Sequence, residues 1–595
     1  MTYRAPVKEM MFLMNHLAGF EKLTQLPYFA QEPIDLETVE AILNESAKLS
    51  EEVLAPLNWI SDQQPSHLTQ EGVVTSPGFK DAFQQYVEAG WQGITHPASY
   101  GGQGLPKIIS TACQEMANSA CLSFSLCPML TDGAIEALIT AASDDLKSRF
   151  IPNMISGKWT GTMNLTEPQA GSDLALVRTR AEPQADGTFK IFGTKIYITY
   201  GDHDFTENII HLVLARTPTA PQGVKGISLF VVPKVNVDKD GNLTEKNDVQ
   251  CISLEHKLGI KGSPTAVLQF GDHGGATGYL VGEENRGLEY MFIMMNAARF
   301  GVGMQGVSLA ERAYQKAVSY AKERIQSRDL SGSTGPVAII HHPDVKRMLM
   351  TMRSYTEAAR SLAYVAVAAS DAAEHGEDEK TRLVNQSFYE FLVPIVKGFS
   401  TEMSVQVASL GVQVHGGMGF IEETGAAQYY RDARILPIYE GTTAIQANDL
   451  IGRKTLRDGG ATAQAIAQQI QLTENDLVKS DSPAAKVFLI HLQEARQSFE
   501  KVVGFVLNNT KTDIKAVFAG SVPYLQLCGL TLAGWQMARA LLSAEKLLEQ
   551  DVDFYDSKIK CSQFYAQHVL SQVPTIARSI IEGGAITNAI EAEKF

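Results

Sequence analysis

The chain has 595 residues, which at about 150 per domain suggests roughly four domains and leaves ample chain for buried cores. Lys plus Arg number 51 against 66 Asp plus Glu, and the net charge of −15 repels phosphate backbones, which argues against a nucleic-acid binder. Hydrophobic residues at 45% and charged residues at 20% describe a soluble globular chain, with no apolar run read as approaching the ~18 residues of a membrane span. The N-terminal stretch Met1-Thr2-Tyr3-Arg4 is too polar to lead a secretory signal, so a cytoplasmic protein is expected.

In chain order, residues 1–158 read as an N-terminal helical domain, because segments such as 36–54 and 79–88 repeat apolar residues at three and four. Near Trp159 the period shortens: 190–192, 195–199, 209–215 and 226–232 are β-branched or aromatic runs bounded by Gly, Pro and Asp, giving a middle β domain over 159–282. Long helices return over 283–455, interrupted by a 327–336 loop and a charged turn at 374–380. Residues 452–483, with Gly459-Gly460, a Gln/Ala-rich helix and Ser480-Asp481-Ser482-Pro483, read as a tether between packed units. Helices over 487–506 and 525–548 then make 456–595 a linker and additional helical domain.

The six cysteines form no CxxC pair and no zinc spacing, and the adjacent His341 and His342 have no carboxylate partner spaced for a metal, so buried thiols, a loop and no metal site are expected. Gly301-Val302-Gly303-Met304-Gln305-Gly306 fits a dinucleotide fingerprint, but it lies inside a helical run without a preceding strand; close helix approach explains the glycines better.

Three segments carry chemistry. Residues 164–173, Asn-Leu-Thr-Glu-Pro-Gln-Ala-Gly-Ser-Asp, put hydroxyls and free N–H groups in one loop, able to bond a flavin edge or a phosphate or simply to cap a turn. In Gln413-Val414-His415-Gly416-Gly417 the paired glycines let a ligand reach the backbone. In Ile438-Tyr439-Glu440-Gly441-Thr442-Thr443, Thr442 or Thr443 would cap a short helix, leaving Glu440 ahead of its N-terminus as a capping residue or a base.

Together these segments, with Tyr197-Ile198-Thr199 and Arg431-Asp432-Ala433-Arg434, resemble the acyl-CoA dehydrogenases over about residues 36–454. The start and the helical extension are similar to a long bacterial branch that includes methylmercaptopropionyl-CoA dehydrogenases and enzymes of fatty acyl-CoAs. The resemblance implies an α+β fold with an N-terminal helical domain, a middle β-barrel, a C-terminal helical bundle and the extra helical domain. It implies FAD as cofactor, with Met163, Leu165, Thr166, Ser172, Tyr197, Ile198, Thr199 and Thr442 around the flavin. Arg324 would reach the pyrophosphate, and Gln413, Gly416 and Gly417 the adenosine half of a neighbouring subunit's FAD. Ser172, Asn296, Arg299 and Gly441 would line the acyl-CoA path, and Glu440 would be the catalytic base.

The implied reaction removes the α-proton to Glu440 and a hydride to flavin N5, yielding a trans-2-enoyl-CoA from a fatty acyl-CoA or 3-methylmercaptopropionyl-CoA. An electron-transfer flavoprotein would take the electrons, and a homodimer is expected, the extension occupying the face on which larger members pack a second dimer. Two departures stand out: Gly441-Thr442-Thr443-Ala444 replaces the family's Gly-Thr-Ser-Gln, and the aromatic-glycine after Arg324 is replaced by Ile325-Gln326. The alternatives are an acyl-CoA oxidase and, from another class, a flavin-bearing alkylation-response protein on DNA or a non-catalytic scaffold; the acidic charge and retained Glu440 oppose the latter two.

Overall fold

The computed structural model describes residues 3–595; Met1 and Thr2, at the head of the polar N-terminal stretch, lie outside the described residues. Helix Leu36–Lys48 begins where Asp35 accepts from the Thr38 N–H at 2.8 Å, and its Val39, Leu43 and Ala47, four apart, turn one face inward. Behind it, helices Lys107–Ala120 and Leu122–Ala141 are largely buried. The second corrects the sequence reading of apolar runs: its 20 residues reach a mean hydropathy of 1.3 over an 18-residue window, enough in length and composition to cross a membrane. With 78% of that window buried it is a core helix, apolar all round because protein surrounds it.

The middle domain is an eight-stranded sheet in the order Val249–Leu254, Thr265–Phe270, Phe189–Thr199, Ala276–Val281, Ser228–Pro233, Asn208–Ala215, Trp159–Asn164, with Arg180–Pro183 also paired to Phe189–Thr199. Just past Asn208–Ala215, the Arg216 carbonyl accepts from the Ala181 N–H at 2.7 Å and the Arg216 N–H donates to Thr179 O at 2.8 Å, so Arg180–Pro183 closes the ring of strands in keeping with the expected barrel. Trp159–Asn164 runs parallel to Asn208–Ala215, which delivers the 164–173 loop to the sheet's edge. Asn208–Ala215 and Ser228–Pro233 are buried on both faces, which is why they read as continuous apolar runs.

Three long helices follow: Gly287–Glu323, Pro343–His375 and Glu379–His415. A Cβ on Gly303 would lie 2.9 Å from the Val396 backbone, and one on Gly306 would lie 2.5 Å from the Ser400 carbonyl oxygen. The fingerprint-like glycines therefore seat one helix against another. The 327–336 segment is the turn region of a small hairpin, Ile325–Arg328 with Pro336–Ala338. Five cysteines are buried and Cys251 is half-buried, all of them free.

The expected tether is a correction. Ala461–Lys479 is a packed helix that buries Ala463, Ile466, Ala467, Ile470 and Leu477, with Trp535 Nε1 donating to Thr473 Oγ1 at 2.8 Å. Two alanines and three larger aliphatics at helical spacing form that face, while the flanking Gly and Pro punctuation pointed to a linker. The extension's helices Pro483–Asn509, Ser521–Leu547 and Val552–His568 bury Phe488, Phe499, Val502, Leu525 and Leu532. They dock directly on the long helices: Leu525 fills the space over Gly398, and Phe399 that over Gly529.

Candidate active site

Glu440 sits on a reversal just ahead of helix Thr443–Asp449. Thr442 caps that helix, its hydroxyl accepting from the Ile445 N–H at 3.3 Å, and the Thr443 N–H donates to Pro437 O at 3.0 Å. To make the turn, Glu440 and Gly441 both take left-handed backbone, φ 54° and 88°. A glutamate there is strained by about 1–3 kcal/mol, and such strain concentrates at working residues. Gly441 is held to glycine doubly, because an added Cβ would also lie 2.7 Å from Gln446 Nε2.

Two cations face this turn. Arg299, from Gly287–Glu323, is 6% exposed, with Nη1 3.9 Å from Asp449 Oδ2 and its Nε without a partner among the described residues. Lys397, from Glu379–His415, is wholly buried and donates to Leu436 O at 2.9 Å and Gly441 O at 2.6 Å. Burial pushes the Glu440 carboxyl up to about 7, against the pull of Arg299 and Lys397. Burial likewise brings Lys397 down to about 7, with Glu440 opposing. Tyr439 OH donates to Gln305 Oε1, and Gln305 Nε2 to Met129 Sδ at 3.3 Å, tying the turn to Leu122–Ala141.

The 164–173 loop is fixed from below. Reciprocal bonds between Glu167 and Ala170, both 3.0 Å, close a turn around Pro168 and Gln169. Buried Glu167 accepts from Lys195 Nζ at 2.8 Å, Thr179 Oγ1 at 2.5 Å and the Arg178 N–H at 2.8 Å. Burial alone would raise its carboxyl, yet Lys195 and these donors hold it at about 2. Lys195 Nζ also reaches Leu165 O at 3.0 Å, and the Ile196 N–H reaches Thr166 O at 2.9 Å. Loop and Phe189–Thr199 strand are therefore one unit, which brings Met163, Leu165 and Thr166 beside Tyr197, Ile198 and Thr199. Leu165 and Ile198 are buried, while Met163, Thr166 and Thr199 are half-buried. Tyr197 is left-handed at φ 60° and 61% exposed, whereas Ser172 and Asn296 are simply exposed.

The remaining expected residues lie elsewhere. Arg324 caps the far end of Gly287–Glu323, 25 residues beyond Arg299 and so about 37 Å away along the helix. Gln413, Gly416 and Gly417 end Glu379–His415, about 24 Å beyond Lys397. The Tyr320–His415 ring stack, 4.3 Å between centroids, brings these two ends together. The structure thus forms a Glu440 cluster and a separate Arg324 cluster within one chain. Sequence reasoning missed Lys397, Lys195, Glu167, Gln305 and Gln446 as parts of the site. A lone lysine in the apolar run 391–399 was the available signal for the first.

Models of the acyl-CoA dehydrogenase N-terminal, middle and C-terminal domains match residues 40–158, 162–273 and 285–455, and one described as acetyl-CoA dehydrogenase C-terminal like matches 462–591. The chain is 53% identical over 573 residues to 3-methylmercaptopropionyl-CoA dehydrogenase of Ruegeria pomeroyi, covering 96% of each protein. The chain belongs to the acyl-CoA dehydrogenase family. A second member of that family, the broad-specificity linear acyl-CoA dehydrogenase FadE5 of Mycobacterium tuberculosis, is 34% identical over 98% of this chain and 97% of that one. Among solved structures, Caenorhabditis elegans ACDH-11 in complex with C11-CoA superposes with a TM-score of 0.79 at 20% identity, over 99% of this chain and 96% of that one. An acyl-CoA dehydrogenase complexed with FAD from Bacillus anthracis gives 0.74 at 22%, over 94% and 90%. Both show the shared fold.

Acyl-CoA dehydrogenases bind FAD, and this member's residues suit it. The exposed Tyr197 and the half-buried Thr166 and Thr199 belong to one unit, tied by the bond from the Ile196 N–H to Thr166 O, which supplies an aromatic surface and hydroxyl donors. At Gly416 and Gly417 a Cβ would meet nothing within 4 Å, so the backbone near the exposed Arg324 is open to a phosphate or nucleotide.

Proposed function

We propose that this acyl-CoA dehydrogenase converts an acyl-CoA thioester to its trans-2-enoyl-CoA with FAD, Glu440 taking the α-proton. The observation that carries this reading is the Glu440 turn: a strained, half-buried carboxylate, raised to about 7, next to two cations. A base of that affinity is ionised above neutral pH yet binds a proton far better than a free carboxylate does. The α-proton of a thioester is weakly acidic, so its removal also needs donors for the carbonyl oxygen. Among the described residues no backbone bond takes up the Glu440 N–H, which leaves it free for that oxygen. FAD, when bound, supplies the acceptor for the hydride from the β-carbon. Lys195 and Glu167 hold the loop that would support it, and Arg299 counters the negative charge of the turn.

The 53% identity to a 3-methylmercaptopropionyl-CoA dehydrogenase favours that short thioether acyl-CoA as substrate, with linear fatty acyl-CoAs as further candidates. An electron-transfer flavoprotein is the proposed acceptor. The distance between the Glu440 and Arg324 clusters supports a homodimer in which one subunit's Arg324, Gln413, Gly416 and Gly417 serve its neighbour's FAD. Anaerobic mixing of the purified flavoprotein with 3-methylmercaptopropionyl-CoA, butyryl-CoA and octanoyl-CoA tests the reading: bleaching of the flavin with at least one supports it. An unbleached flavin with all three, or peroxide formation at the full turnover rate in air, overturns it.

A further inference from the structure

Lys397 is an anomaly that the reaction as written does not use. It is wholly buried, in a stretch where Phe391, Leu392, Ile395, Val396 and Phe399 are buried too. Among the described residues no carboxylate oxygen lies within 4.0 Å of its Nζ; its hydrogen bonds go to two carbonyls, Leu436 O and Gly441 O. A buried ammonium without a paired anion is unfavourable, so a purely structural lysine would be replaced at little loss by an apolar side chain. The two carbonyls are not arbitrary. They bracket Glu440 in sequence, and Gly441 O belongs to the second residue of the left-handed pair. Gln446 Nε2 reinforces the same turn by donating to Glu440 O at 3.3 Å.

We propose that Lys397 is a positioning residue for Glu440: it clamps the carbonyls on either side of the base, and its positive charge favours the ionised carboxylate. The other charged groups facing this pocket are Arg299 from Gly287–Glu323, Glu402 one turn on from Lys397, and Asp449 at the end of the capped helix. Glu402 is exposed and accepts from Thr443 Oγ1 at 2.6 Å, and Asp449 faces Arg299. Lys397 is therefore the cation bonded directly to the base's own turn. In agreement, the lowered proton affinity of Lys397 and the raised one of Glu440 meet near neutrality, each opposing the other's shift.

This inference rests on Glu440 being the base, and its test separates the two ideas. FAD-loaded wild type, Lys397→Met, Lys397→Gln and Glu440→Gln are titrated by infrared spectroscopy, following the carboxyl band that is absent in Glu440→Gln; no turnover is required. Loss of the charge should move that band's midpoint to higher pH by about one unit or more, a factor of about ten in proton affinity. The acid limb of kcat/KM should move with it, so that both lysine variants lose about tenfold or more in activity at pH 7 and recover part of it at higher pH. Lys397→Gln keeps an N–H donor for the carbonyls, so it decides the question if Lys397→Met does not fold. An unmoved midpoint in either folded, FAD-loaded variant overturns the proposal. Should Glu440→Gln retain turnover, the base assignment fails, while the shift of the band still reports whether Lys397 acts on Glu440.

Discussion

Lys558 Nζ stands 2.5 Å from Glu9 Oε1, both side chains shut away from water, so the extension is latched to the first helix of the chain. The same ammonium lies 2.8 Å from Glu357 Oε2 on Pro343–His375, which Arg353 also holds at 2.6 Å. Three remote stretches of sequence thereby share one buried ion network.

Lys558→Met should lower stability by about 3 kcal/mol or more, because removing one member of a buried pair leaves its partners charged and unpaired. Chemical denaturation of the FAD-loaded protein measures it. An unchanged midpoint would show the network to be dispensable. Deleting residues beyond 460 should expose the faces around Gly398 and Phe399 and cause aggregation, read by light scattering.

Glu440→Gln should keep FAD and fold but lose dehydrogenation by several orders of magnitude, since it removes the proposed base and retains its shape. In wild type, kcat/KM should fall as pH drops through about 7, where the carboxylate takes up its proton. The stability sign runs the other way. Because the folded pKa exceeds the unfolded one, protonated Glu440 favours folding at low pH, and that contribution fades as pH rises from about 4.5 to about 7.

Lys195→Met should release the 164–173 loop and strand Glu167, lowering both the melting temperature and the FAD content of the purified protein, with an expected destabilisation of about 3 kcal/mol. Glu167 has its folded pKa depressed to about 2, so its contribution is present above the unfolded value near 4.5 and lost as pH falls towards 2. Equal flavin content in variant and wild type would mean that the loop does not depend on the pair.

Arg324→Ala should reduce FAD retention without affecting the melting of the flavin-free protein, because the side chain is exposed. The ratio of flavin to protein absorbance checks this. The hairpin at 325–338 stands where the family's aromatic-glycine is absent, so an unchanged ratio would place the pyrophosphate contact elsewhere.

What the sequence disclosed follows from where the deciding interactions lie. A threonine cap at 442 or 443, which the structure places at Thr442, Glu440 ahead of it and the mid-helix setting of Gly301 to Gly306 all depend on neighbours within a few residues, and each was legible. Lys397 was not, because its partners are backbone carbonyls 39 and 44 residues away that only the fold brings near. Arg324 could be matched to a motif, but its grouping with Gln413 depends on Tyr320 meeting His415, a contact between two long helices. The 461–479 helix was legible as a Gln/Ala-rich helix, but its packing was not: the flanking glycines and the 480–483 segment read as a tether, and the face of Ile466, Ile470 and Leu477 is buried against other helices that only the fold brings near. Leu122–Ala141 shows the reverse, since Thr131, Asp132 and Glu136 interrupt an apolar stretch that nonetheless averages out as span-like.

The separation between Arg299 and Arg324 along one helix has a genetic consequence. If one subunit's far helix end completes its neighbour's flavin site, a chain defective only at Glu440 and a chain defective only at Arg324 carry lesions in different halves of a shared site. Expressed together, they should assemble mixed dimers in which one of the two sites has an intact base and an intact arginine, so two inactive alleles would restore part of the activity that neither encodes alone.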